Sequence, residues 1–357
     1  MRVLVASGGS GGHIFPAVSL AKELARRGAE TIFVASRRRL DKKILQNAPY
    51  KTIFLSVNPM PYKFGWRVIV FLIKLALDSF QAMYILVRYR PDAVVGFGGY
   101  TAGAIVLLGS IMRAKTIIHE QNVVPGRTNR FLDRLVGQVA VSFSETRKYF
   151  KNKNVTLTGN PVREESLKEC RAYSYDKFNL EKGKFTILVM GGSQGASSLN
   201  RLVSGGLRRL PQEEKDKLQV LHITGSGDFE KFRSFYSANG IKGRVFDFVE
   251  NINEVYSACD LAVSRSGAAA ICELASHGKP MVLIPYPASR NNQRFNAIFL
   301  RDKGAALYRD QEKLSEGEIG SLISELMTDS EKRKDLSGNA RKLAIVDGAR
   351  RLAEIVL

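Results

Sequence analysis

Short apolar runs rich in β-branched residues recur along the chain, separated by stretches in which apolar positions return every three or four residues. Runs of four to six such residues, bounded by glycine, proline or polar turns, read as strands buried on both faces. The stretches between them read as amphipathic helices. This places strands near residues 2–6, 31–35, 52–55, 92–95, 115–118, 137–141 and 154–157, and again near 185–190, 218–223, 244–248, 260–263, 280–284 and 305–308. The alternation predicts an α/β fold with two parallel sheets, each covered by helices on both faces. Gly159-Asn160-Pro161 ends the first set of strands, and the polar stretch that follows it runs to Lys184. The expected organisation is therefore a first domain over 1–160, a second over 161–340, and a closing helix over 341–357 that packs back on the first.

Two glycine-rich turns stand at matching places in the two halves. Gly8-Gly9-Ser10-Gly11-Gly12-His13 follows Val3-Leu4-Val5-Ala6, and Gly191-Gly192-Ser193-Gln194-Gly195-Ala196 follows Ile187-Leu188-Val189-Met190. Glycine lets the main chain approach a ligand without a Cβ in the way, and a helix start presents free N–H groups and a positive dipole end. Each turn is thus a candidate phosphate site. Open parallel sheets bind ligands beyond the carboxyl ends of their strands. Gly96-Phe97-Gly98-Gly99-Tyr100, His119-Glu120-Gln121-Asn122, Ser264-Arg265-Ser266-Gly267 and the segment from Pro285 to Gln293 also fall there.

Competing phosphate motifs do not fit. Ile14 stands where a dinucleotide fingerprint needs its last glycine, and no acidic residue closes the second strand near Phe33-Val34-Ala35. A P-loop sequence, an Asp-x-Asp pair and a His/Asp/Glu cluster with metal spacing are all missing from the sequence. No cofactor and no metal are expected, and a diphosphate would be neutralised by backbone amides, hydroxyls and arginine.

Charge adds a partner. Residues 1–160 carry 24 Lys and Arg against 8 Asp and Glu, a net +16, whereas residues 161–357 contribute only +4 of the total +20. A basic half attracts nucleic acid, an anionic membrane or acidic substrates alike. The segment from Lys63 to Arg90 separates these readings. Its apolar residues, among them Trp66, Phe71, Leu72 and Leu75, cover more than one helix face, with Lys63, Arg67, Lys74, Arg88 and Arg90 around them. A buried core helix would look like this, and so would a surface patch resting on an anionic leaflet. Lys74, Asp78 and Gln81 argue against a membrane span. No aromatic and basic interleaving suggests base stacking, so membrane outranks nucleic acid. Cys170, Cys259 and Cys272 have no metal spacing and read as core thiols in a reducing compartment. The first strand starts at once, leaving no room for a secretory signal.

In order and spacing, these motifs, with Gly159-Asn160-Pro161-Val162-Arg163 and Asn292-Gln293, resemble the MurG family of peptidoglycan N-acetylglucosaminyltransferases over nearly the whole chain. The resemblance implies a GT-B fold, with two Rossmann-like domains facing a central cleft. It implies transfer of GlcNAc from UDP-GlcNAc to undecaprenyl-diphospho-MurNAc-pentapeptide, inverting and without metal, by a peripheral protein on the cytoplasmic face of the plasma membrane. His13 is then the candidate base, with a phosphate ligand as its other reading and Glu120 as its rival. UDP-GlcNAc would be held by Ser10, Gly11, Gly12, Asn122, Arg163, Ser193, Val249, Glu273, Asn292 and Gln293. Among these, Arg163 and Ser193 would meet diphosphate, the Val249 main chain uracil, and Glu273 the ribose. The acceptor diphosphate would lie at Gly9, Ser10, Gly12, Gly98, Gly99 and Tyr100. Where the family's pattern has a Gln-Gln pair this chain has Asn292-Gln293, and Ser10 stands where threonine is usual. Another UDP-sugar transferase with a lipid acceptor, a UDP-GlcNAc 2-epimerase of the same architecture, and a non-catalytic membrane-bound partner subunit that presents a lipid substrate are the alternatives.

Overall fold

A computed structural model describes residues 1–8, 11–46, 48–55, 66–163, 170–192, 195–289 and 292–357; within these, the side chains of 39–40, 66–76 and Tyr100 are not described. The chain divides into two compact units, residues 1–162 with 345–357, and residues 163–344.

The first unit is built on seven parallel strands: β1 (Arg2–Ala6), β2 (Glu30–Ser36), β3 (Lys51–Leu55), β4 (Ala93–Gly96), β5 (Lys115–Glu120), β6 (Gln138–Val141) and β7 (Val155–Leu157), in the order β3-β2-β1-β4-β5-β6-β7. Side chains alternate across the sheet, so one strand feeds two cores. Val3 and Val5 pack with Ile14, Leu20 and Leu24 of the helix Gly11–Arg26. Leu4 and Ala6 pack on the other face with Ile85 and Leu86 of the helix Trp66–Tyr89. The last helix, Gly348–Val356, buries Leu352, Ala353 and Val356 beside the Gly11–Arg26 helix.

The second unit repeats the plan with six parallel strands: β8 (Phe185–Met190), β9 (Leu218–Ile223), β10 (Lys242–Phe246), β11 (Leu261–Ser264), β12 (Met281–Leu283) and β13 (Leu307–Tyr308), in the order β10-β9-β8-β11-β12-β13. Ile187 and Val189 pack with Leu199, Val203 and Leu207 of the helix Ser197–Arg208 and with Ile319 and Ile323 of the helix Glu316–Thr328. In both sheets the winding reverses beside the first strand, between β1 and β4 and between β8 and β11. That is where an open α/β sheet leaves a crevice for ligand. The three cysteines are free thiols, and burial pushes the Cys259 thiol up to about 11.

The segment with two readings in the sequence is a 24-residue helix, Trp66–Tyr89. Trp66, Phe71, Leu72 and Leu75 lie on it, but their side chains are outside the description. Over 77–89 the helix has one buried and one exposed apolar face. Ala82, Ile85 and Leu86 are buried in the core, while Leu77, Phe80, Tyr84 and Val87 form an exposed apolar stripe at helical spacing. Among the described residues, no helix is long and apolar enough to cross a membrane.

Candidate active site

In the first unit, the loops after β1, β4 and β5 converge. Gly9 and Ser10 lie outside the described residues, whereas Gly11, Gly12 and His13 form the first turn of the Gly11–Arg26 helix. Gly98, at φ 85°, precedes the helix Gly99–Ile111, which Gly99 and Tyr100 begin. A Cβ on Gly98 would stand 3.4 Å from His13 Cε1, and one on Gly99 would stand 3.3 Å from the Gly8 carbonyl oxygen. Two helix starts, whose first N–H groups have no intrahelical partner, therefore meet beside a half-buried histidine. An anion held there would be met by main-chain donors and two positive helix ends.

His13 is tied to the motif after β5. Its Nδ1 lies 2.8 Å from Gln121 Oε1, and Gln121 Nε2 lies 3.0 Å from His119 Nδ1. His119 is fully buried, with Nε2 3.0 Å from the Gly159 carbonyl oxygen. Burial lowers its pKa to about 4, with the His13 ring adding to that direction against the Gly159 hydrogen bond. His119 is thus neutral at physiological pH.

Glu120, the rival base, is occupied. Its Oε1 accepts from the Asn122 backbone N–H at 3.0 Å and Asn122 Nδ2 at 3.2 Å, and its Oε2 accepts from the Gly126 N–H at 3.0 Å and Asn129 Nδ2 at 2.8 Å. Four donors use the lone pairs of a carboxylate that is itself buried, so Glu120 organises the loop. Asn122 is held by this contact, half-buried, with its main-chain carbonyl accepting from Thr146 Oγ1.

In the second unit, Ser193 and Gln194 lie outside the described residues, whereas Gly191, Gly192, Gly195 and Ala196 of the same turn are described. Gly195, at φ 74°, lies so close to β9 that a Cβ would come within 2.2 Å of the Thr224 carbonyl oxygen. Glycine is required there, and the turn leads directly into the Ser197–Arg208 helix. Arg163 and Glu273 touch each other: Arg163 Nε donates to Oε1 at 3.1 Å and Nη2 to Oε2 at 3.4 Å, while the Tyr256 hydroxyl donates to Oε2 at 3.0 Å. Glu273 sits on the helix Ala268–Ser276, almost entirely buried, and holds the arginine fork in one orientation. The half-buried Val249 follows β10, and its main chain has no hydrogen-bond partner among the described residues. Gln293, early in the helix Asn292–Asp302, accepts from the Tyr286 N–H through Oε1 at 2.9 Å, and its carbonyl accepts from Ser266 Oγ. Its amide N–H₂ has no hydrogen-bond partner among the described residues. Asn292 opens the same helix, half-buried.

Two residues without an assigned role in the sequence reading emerge. One is Gln121, between two histidines. The other is Arg265, which is 4 % exposed and has no carboxylate partner among the described residues. Its Nη1 donates to the Ile284 and Pro285 carbonyls and its Nη2 to Ser198 Oγ and Gln311 Oε1, while Nε has no partner. Both lie inside motifs visible in the sequence, but their partners are distant in the chain. Among the described residues no cluster of His, Cys, Asp and Glu could hold a metal ion.

Comparison with known proteins places this geometry in context. The glycosyltransferase family 28 N-terminal domain matches residues 3–141, and the glycosyltransferase family 28 C-terminal domain matches residues 186–352. A relative from Desulfotalea psychrophila, named UDP-N-acetylglucosamine--N-acetylmuramyl-(pentapeptide) pyrophosphoryl-undecaprenol N-acetylglucosamine transferase, is 36% identical over 357 residues, covering 99% of this chain and 95% of the relative. The crystal structure of Acinetobacter baumannii MurG superposes with a TM-score of 0.79 at 28% identity, over 99% of this chain and 98% of that one. The calicheamicin glycosyltransferase, at 15% identity, covers 99% of this chain and 97% of its own with a TM-score of 0.70, which shows a shared fold alone.

Proposed function

The chain belongs to the family 28 glycosyltransferases, in the MurG family, and from that membership we propose how it works. It transfers N-acetylglucosamine from UDP-N-acetylglucosamine to a muramyl-pentapeptide carried on undecaprenyl diphosphate, releasing UDP. The observation that carries the mechanism is His13, half-buried at a helix start, with Nδ1 engaged by Gln121 and a second glycine helix start beside it. In the step, the acceptor hydroxyl gives its proton to His13 as its oxygen attacks the anomeric carbon. The bond from that carbon to the UDP oxygen breaks, and UDP leaves with the electron pair. Attack opposite the leaving group inverts the configuration. The helix starts at Gly11 and Gly99 would receive the acceptor diphosphate.

The donor groups lie in the second unit. The Gly191 turn and the start of the Ser197–Arg208 helix would take the departing diphosphate, with Arg163 and the buried Arg265 supplying positive charge. The Val249 main chain suits uracil edges, Glu273 suits ribose hydroxyls, and the Gln293 amide suits the sugar. This set stabilises a leaving diphosphate without a metal ion.

The acceptor is a lipid, and the exposed stripe of Leu77, Phe80, Tyr84 and Val87 fits an anionic membrane surface. The neighbouring helices add exposed Ile111 and Phe131 with Arg113, Arg130 and Arg134 around them. The protein would bind peripherally from the cytoplasmic side. The test is turnover of labelled UDP-N-acetylglucosamine with defined lipid acceptors, with and without EDTA. Wild-type protein should form an acceptor-dependent β-1,4 product unaffected by EDTA, and His13→Ala should lower kcat about a hundredfold or more. Release of UDP and free sugar without acceptor would instead favour an epimerase.

A further inference from the structure

The hydrogen bonds around His13 have a direction that can be read from their far end. The Gly159 carbonyl can only accept, so the hydrogen between it and His119 sits on His119 Nε2. The neutral His119 ring then has its lone pair on Nδ1. Gln121 Nε2 lies 3.0 Å from that lone pair and 2.9 Å from the His119 carbonyl oxygen. Both are acceptors, and an amide N–H₂ has one hydrogen for each. The orientation of the Gln121 amide is therefore set by a main-chain carbonyl as well as by the ring. Its Oε1 must then be the end that faces His13 Nδ1, 2.8 Å away, and an amide oxygen can only accept. The hydrogen of neutral His13 belongs on Nδ1. Among the described residues its Nε2 has no hydrogen-bond partner.

We propose that Gln121 is a positioning residue that holds His13 in the Nδ1–H tautomer, leaving the Nε2 lone pair to take the proton from the acceptor hydroxyl. This rests on the reading of His13 as the base. It matters because a free neutral imidazole favours the opposite tautomer, with its hydrogen on Nε2 and the basic lone pair turned away from substrate. Gln121 reverses that preference. When His13 takes the proton, Nδ1–H remains bonded to a neutral amide oxygen, which steadies the cation without removing its hydrogen. His119 and Gly159 act one and two steps further out, fixing Gln121. Asn129 Nδ2, which also donates to the His119 carbonyl at 3.2 Å, holds the same junction.

The chain has only four histidines, so the full-length protein labelled with ¹⁵N-histidine can be read directly by long-range ¹H–¹⁵N NMR, assigning rings by single substitutions. Above pH 7, His13 should show a protonated Nδ1 and a bare Nε2, and His119 the reverse. In Gln121→Met, which keeps length and removes all three side-chain hydrogen bonds, His13 should move mainly to the Nε2–H form while His119 keeps its tautomer. Turnover should fall at least about tenfold with the donor KM within about twofold. A wild-type His13 protonated on Nε2 overturns the proposal whether or not the variant folds. So does a folded Gln121→Met protein that keeps wild-type tautomers and kcat. If the wild-type tautomers are as stated but His13→Ala retains its turnover, the tautomer relay stands and the base reading fails, so the two are separable.

Discussion

The buried guanidinium of Arg265 supports a quantitative prediction about donor binding. Burial pulls its pKa down to about 10, a desolvation penalty on the charged form on the order of 3 kcal/mol. Four acceptors hold the group in place, but all are neutral, and no carboxylate among the described residues balances the charge. An uncompensated cation that touches Ser198, in the first turn of the Ser197–Arg208 helix, is arranged for an anion at that helix start. A phosphate at that helix start is taken at a separation of about 7 Å from the guanidinium. At an effective dielectric of about 20, a unit charge pair at that distance is worth about 2 kcal/mol, or a few tens-fold in affinity.

Arg265→Met keeps most of the volume and removes the charge. Isothermal titration of wild-type and variant protein with UDP and with uridine isolates the effect. UDP should bind about 30-fold more weakly to the variant, while uridine, which lacks the diphosphate, should change by less than about threefold. Unfolding midpoints should not drop by the full worth of four hydrogen bonds, because the burial penalty disappears with them. If UDP and uridine weaken equally, Arg265 shapes the loop and does not act through its charge. If neither weakens, the charge argument is wrong.

Three further outcomes follow from the same geometry. Glu120→Ala should destabilise the folded protein by about 3 kcal/mol, because four donors lose a charged acceptor, and chemical denaturation should show this; Glu120→Gln with wild-type stability but no turnover would restore Glu120 as a base candidate. Acid should destabilise through two buried neutral rings, His119 held at about 4 and His222 at about 3, both mainly by burial. In the unfolded chain each takes a proton as the pH falls below about 6.5, so stability present above that value should decline by about 2 kcal/mol per ring by pH 5, and His222→Gln should flatten the urea-midpoint profile over that window. Phe80→Ser with Tyr84→Ser, both on the solvent side of their helix, should cut co-sedimentation with anionic vesicles about a hundredfold while leaving the unfolding midpoint within a few degrees; unchanged sedimentation would remove the stripe from the membrane reading.

What was legible in the sequence divides by the range of the cause. Strands buried on both faces announce themselves in a few consecutive residues, so all thirteen fall where the apolar runs lie. The offsets reach two residues: β10 begins at Lys242 against the expected 244, β5 runs on to Glu120, and β13 begins at Leu307. The glycine turns were equally legible, since the demand that fixes Gly195 is local to its own Cβ. The helix Trp66–Tyr89 was not, because an apolar residue facing the core and one facing solvent look alike in one dimension. Only packing against Ala82, Ile85 and Leu86 distinguishes the stripe that includes Phe80 and Tyr84.

The roles of site residues were hidden for a stronger reason: they are set by partners far along the chain. Arg163 reaches Glu273 across 110 positions, His13 reaches Gln121 across 108, and Arg265 reaches Ser198 across 67. Motif spacing brought these residues under suspicion but could not say which groups were already engaged. Glu120, the more familiar base by residue type, is saturated by its own loop, whereas His13 keeps one ring nitrogen without a partner among the described residues. The same logic distinguishes the twin glycine turns. Both offer an anion a helix start, but the first has a histidine held by one ring nitrogen, and the second has a cation with no carboxylate partner among the described residues. A group that can take a proton suits an attacking hydroxyl, and a fixed charge suits a departing diphosphate, which is the proposed division of roles.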